Sequence, residues 1–143
     1  MRVSNRFLLL LVAGGFFAFG QTVSHQAALA KQERVGKSEF RESCAACHGL
    51  DGRGDGPVAK YLNAKIPDLT QLARSRGGKF PVQELYQIID GRQTKGIHGD
   101  RAMPIWGDRY KVTATKEFGG YGAETAVRDR IVKLVEYLRT IQK

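Results

Sequence analysis

At 143 residues the chain has room for one ordinary domain, and its net charge of +9 with 42% hydrophobic residues marks a basic globular protein. Its two cysteines are too few for a disulfide framework or a four-cysteine zinc site. The basic residues are scattered, and no stacking aromatics interleave with them, which excludes a nucleic-acid-binding surface.

The first predicted element, in chain order, is a secretory leader. Arg2 and Arg6 supply its positive start, and Phe7 to Gly20 its apolar run. That run has 14 residues, short of the roughly 20 needed to span a bilayer. Ala28-Leu29-Ala30 then gives the A-x-A pattern read at signal cleavage. The expected division is a signal peptide at 1–30 and one domain at 31–143, with an uncleaved anchor as the alternative. Cleavage would leave a periplasmic protein with no stable membrane insertion. All 14 acidic residues and 21 of the 23 basic ones follow residue 30, so the domain carries +7. Such a charge suits long-range steering toward an acidic partner.

A first helix is expected from Val35 to about Ala46, with Gly36 and Phe40 on one face. At its end stands Cys44-Ala45-Ala46-Cys47-His48, the C-x-x-C-H signature of c-type haem attachment. The spacing follows from the chemistry: two thiols add to the two vinyl groups, and the next residue places an imidazole under the iron. Two other readings of a C-x-x-C pair exist. A thioredoxin-like redox pair needs a βαβ setting, and no strand–helix alternation surrounds it. A Cys2His2 zinc site would need His48 and His98, and the adjacent Cys47-His48 pair would strain a tetrahedron.

Gly49 to Gly56 reads as a turn. It fails as a calcium loop, because Arg53 and Leu62 stand where oxygen ligands belong. A short helix is expected at Pro57–Ala64. Another is expected at Pro81–Asp90, with Val82, Leu85, Tyr86 and Ile89 as its stripe and Gly91 beyond its end. The stretch Ile97–Gly122, rich in glycine and turn residues, is expected to be loop. Within it stands Met103, the one methionine beyond the leader, before Pro104. Proline fixes its own φ and restricts the preceding residue, which holds a loop thioether in one pose. A thioether on the sixth iron position raises the reduction potential. His98 is the rival ligand, flanked by glycine and charge in the manner of an exposed loop residue. The final helix is expected from Glu124 to Ile141, with Val127, Ile131, Leu134, Val135, Leu138 and Ile141 at helical spacing.

Taken in order, Gly36-x-x-x-Phe40, Cys44 to His48, Gly56-Pro57, Met103-Pro104 and Tyr137 in a terminal helix resemble class I c-type cytochromes, most closely the small bacterial monohaem type found with cbb3-type oxidases. The resemblance implies an all-α cytochrome c fold of three to five helices with long loops around one covalently attached haem. It implies that Gly36 and Phe40 of the first helix pack against Tyr137 of the last. It implies that Cys44 and Cys47 attach haem c, that His48 and Met103 ligate its iron, and that the Pro57 carbonyl accepts a hydrogen bond from His48. Trp106 would pack near a propionate or in the core. The implied function is transport of single electrons between redox partner proteins, without catalysis by the chain itself. The alternative is a haem c subunit of a periplasmic dehydrogenase or oxidase complex.

Overall fold

The computed structural model describes residues 9–92 and 104–143, with side chains described from residue 24 onward. The chain divides into two compact units, Met1–Gln32 and Glu33–Lys143. Among the described residues there are four helices and no strand: α1 (Leu9–Ser43), α2 (Ala45–His48), α3 (Val82–Asp90) and α4 (Trp106–Thr140). Single 3₁₀ turns at Ala59–Tyr61, Leu69–Gln71 and Arg74–Arg76 punctuate the loop between α2 and α3. This is the all-α arrangement expected.

Three boundaries differ from the expectation. α1 is described from Leu9, far upstream of the expected Val35, with no proline between them. The Pro57–Ala64 helix is reduced to the 3₁₀ turn at Ala59–Tyr61, which buries none of its residues. Short helices rely on a buried face, and this one has none. The largest correction concerns residues 106–122, expected as loop and found helical. Trp106, Tyr110 and Ala114 recur every fourth residue, and the last two are buried with Gly107. That narrow stripe supports helix despite the threonines and glycines around it. α4 is therefore two helical arms. They meet at Gly119, where φ 70 and ψ 172 cannot continue a helix and are open to glycine alone.

Within Glu33–Lys143, the core is built where α1 crosses the second arm of α4. Phe40, Ile131, Leu134 and Val135 are almost fully buried there. Gly36 lies against α4 so closely that an added Cβ would overlap the Lys133 carbonyl oxygen and stand 2.8 Å from Tyr137 Cβ. The rings of Phe40 and Tyr137 meet at 5.4 Å and 48°. The expected Gly36–Phe40–Tyr137 crossing is thus present.

α3 packs on α4 and buries Leu85 and Ile89. Pro81 caps it at φ −89 and ψ 65 rather than occupying its first turn, and Gly91 closes it at φ 87. The loop between α2 and α3 is tied to the chain terminus. Gln142 Nε2 donates to the Leu69 carbonyl at 2.8 Å, and its Oε1 accepts from the Ala73 N–H at 2.9 Å. The Lys143 N–H donates to the Thr70 carbonyl at 3.0 Å.

Candidate haem site

α1 stops at Ser43, and the chain turns once before α2. Cys44 sits at that turn with φ −118, and its carbonyl accepts from the N–H groups of Cys47 at 3.1 Å and His48 at 2.9 Å. A four-residue helix so made presents Cys44, Cys47 and His48 from one short unit. The Gly56 N–H donates to the Cys47 carbonyl at 3.2 Å, and the Val58 N–H to the Ala46 carbonyl at 2.9 Å. Pro57 stands between these two straps, exposed, and fixes the loop against the turn.

Two cavities meet at this turn, sharing Cys44, His48 and Pro67 in their walls. The larger, about 550 Å³, is lined by Phe40, Leu69, Leu72, Leu85, Ile88 and Ile89, with Leu134 and Leu138 from α4. The smaller, about 260 Å³, adds Cys47, Val58, Leu62, Ile66, Pro104, Trp106 and Arg109. The larger falls within the roughly 300–1,000 Å³ scale of cofactor sites, and the smaller lies just below it. Mostly apolar walls with one buried imidazole and two free thiols suit a flat, apolar, iron-bearing macrocycle. His48 is 7% exposed, with its Nδ1 buried.

The electrostatics argue against thiol redox chemistry. Burial, with the charges of Glu39 and Cys47 adding to it, pushes the Cys44 thiol up to about 12. A redox-active C-x-x-C pair needs a depressed thiol pKa to furnish thiolate at neutral pH. Among the described residues, no group of three or more His, Cys, Asp or Glu side chains converges.

Beside the Phe40 contact, α1 and α4 also share a second, polar arrangement. Glu39 is 6% exposed, and it accepts from Ser43 Oγ at 2.6 Å and from Arg130 Nε. The Arg130 guanidinium also stacks 4.3 Å over the Tyr110 ring. Tyr110 in turn lies 5.7 Å from the Trp106 ring, and Arg109 covers Trp106 at 5.2 Å. Burial raises the Glu39 carboxyl pKa, but Arg130, Ser43 and Tyr110 together overcome this and hold it below its ordinary 4.5.

Of the sequence-derived residues, the structure brings Cys44, Cys47 and His48 together. Met103 and His98 lie outside the described residues. Pro57 lines neither cavity, whereas Pro67 lines both beside His48. Sequence reasoning passed over Pro67, Gln142 and the Glu39–Arg130 pair. The Pro67-Asp68-Leu69-Thr70 stretch did carry a signal. Asp68 Oδ1 accepts from the Thr70 N–H at 2.8 Å and from Thr70 Oγ1 at 2.7 Å, the turn chemistry its side chain allows.

The all-α fold, with a C-x-x-C-H turn at an apolar cavity, defines a class I c-type cytochrome. A profile of the family described as cytochrome c oxidase, cbb3-type, subunit III matches residues 31–138, and the chain belongs to that family. It accordingly carries covalently bound haem c with its iron and exchanges electrons with redox partners. Comparisons with curated proteins and with solved structures return no match.

Proposed function

We propose that the chain is an exported, periplasmic carrier of single electrons, with His48 and Met103 as the axial pair of one haem c. The observation that carries this reading is the shared wall of the two cavities, where Cys44 and buried His48 stand together. When bound there, haem supplies one-electron exchange between Fe(III) and Fe(II). Cys44 and Cys47 hold it through thioethers, and His48 offers its imidazole to the iron. Pro67 lines both cavities with His48, while Pro57 sits between the Gly56 and Val58 bonds that strap the loop to the turn. The walls from Phe40, Leu85, Leu134 and Leu138 exclude water, which limits reorganisation on electron exchange.

Ligation by Met103 is supported by its neighbour Pro104, which lines the smaller cavity with Cys44, Cys47 and His48. Export is supported by the leader pattern and by the family match, which begins at residue 31. No helix among the described residues is long and apolar enough to cross a membrane. The positive domain suits acidic docking surfaces on its partners. A second reading, a haem c subunit held in an oxidase complex, is favoured by the family description itself. Spectroscopy of the oxidised protein tests the axial pair. The near-infrared band of sulfur ligation should be present, lost in Met103→Ala and retained in His98→Ala. Loss with His98→Ala instead would make the site bis-histidine. Purification from the native membrane at moderate salt separates carrier from subunit, since a carrier elutes alone and a subunit with its complex.

A further inference from the structure

We propose that Glu39 and Arg130 form a self-neutralising charge pair beside Cys44 that shields the reduction potential of the haem from the charge of either partner alone. The inference rests on the reading that Cys44 carries the haem. Glu39 accepts from Ser43, the residue before Cys44, and its charge acts on the Cys44 thiol. A side chain bonded to the porphyrin thus lies within the field of a buried carboxylate. Arg130 reaches that carboxylate from α4, across 91 positions of sequence, and is itself 36% exposed.

The pair has a structural role, since it ties the end of α1 to α4. It also has an electrostatic one, because the two charges are not equally buried. The carboxylate sits inside, where the effective dielectric is low, and the guanidinium faces partly outward. A lone carboxylate there favours Fe(III), and a lone guanidinium favours Fe(II). Together they nearly cancel. Tyr110, from the first arm of α4, lies close enough to lower the Glu39 pKa, though its buried hydroxyl closes no hydrogen bond of good geometry. Glu117, Asp129 and Lys133 line the same cavity of about 350 Å³, with Lys133 bonded to Asp129. Cys44 also lies within reach of the Glu39 charge.

Removing either partner therefore shifts the iron in opposite senses. In Glu39→Gln the unopposed Arg130 charge raises the reduced-to-oxidised ratio at fixed ambient potential. In Arg130→Gln the unopposed carboxylate lowers it. The expected size is on the order of tenfold each way, as for a unit charge acting through a partly buried path. Arg130→Gln also removes one of the groups that offset burial, so the Glu39 pKa rises. Reduction by one electron from the redox partner then draws one proton from solvent onto Glu39. The potential of that variant gains a pH-dependent segment that Glu39→Gln/Arg130→Gln lacks.

The test is spectroelectrochemical titration of wild type, the two single variants, the double variant and Arg130→Lys between pH 5 and 8. Each sample is first checked by intact mass for attached haem. Opposed shifts in the singles, with the double and Arg130→Lys near wild type, support the proposal. A merely structural role would move both singles the same way, and that result, or no shift in either, overturns it. If Arg130→Gln does not accumulate folded, a rise in Glu39→Gln with none in Arg130→Lys supports the proposal, and equal values overturn it. Haem missing from the wild type would instead overturn the reading beneath it.

Discussion

α1 is held to α4 by two contacts of opposite kind, about one helical turn apart. At Gly36 and Phe40 the backbones close to within touching distance, and an aromatic pair fills the crossing. At Glu39 and Ser43 the helices are joined by a carboxylate, a hydroxyl and a guanidinium. The first contact gains its stability from area and close packing, tolerates no extra atom and ignores pH. The second costs desolvation, regains it through geometry, and responds to pH and charge. Apolar crossings fix where Cys44 stands, and the polar contact fixes the field in which it stands.

The largest expected effect belongs to the apolar contact. Tyr137→Ala should destabilise by about 3–5 kcal/mol, as for other buried aromatics, measured from urea midpoints of the haem-loaded protein. A loss under 1 kcal/mol would mean that Tyr137 does not close the crossing. Gly36→Ala should follow at about 2–3 kcal/mol by overpacking, because its Cβ meets backbone that cannot rotate away. An unchanged midpoint would show that the helices can part at no cost.

The polar contact is weaker, and its signature is pH. The folded Glu39 carboxyl pKa lies below 4.5, so its contribution is complete above that value and is lost as pH falls through the folded value. Glu39→Gln should therefore be less stable than wild type at pH 7, by about 1–2 kcal/mol for a pair with its carboxylate buried and its guanidinium partly exposed. The difference should shrink toward pH 3. A gap that stays constant from pH 7 to 3 would remove the carboxylate from the account. The smallest effect is expected at the staple between the loop and the terminus. Gln142→Ala loses bonds to Leu69 and Ala73 and should cost about 1 kcal/mol. Hydrogen exchange should rise at Ala73 before it rises at Phe40, and the reverse order would detach Gln142 from the loop.

The two contacts also differ in how legible they were. Gly36 and Phe40 share a face by spacing alone, and α3 and the second arm of α4 show full apolar stripes, so pattern and structure agree there. The first arm of α4 was not legible. Its stripe of Trp106, Tyr110 and Ala114 is one residue wide, and the surrounding threonines and glycines read as loop. Its helicity comes from tertiary burial, which local propensity does not record. Glu39 and Arg130 were invisible for another reason. A buried charge pair joining residues 91 positions apart has no periodic signature, and each looks like an ordinary surface charge. In the site, C-x-x-C-H identified itself because covalent chemistry dictates its spacing. Pro67 did not, since its place at both cavity walls depends on how a long loop folds back.

The central claim is that Cys44 and Cys47 carry haem and His48 faces its iron. Intact mass of the purified protein, before and after acid–acetone extraction, tests it most directly. A polypeptide heavier by one haem that survives extraction is expected, with the added mass on the peptide containing Cys44 to His48 and lost in Cys44→Ala/Cys47→Ala. Haem that extracts freely from the wild type, or a mass equal to the bare chain in protein made with an intact haem-attachment system, would contradict it.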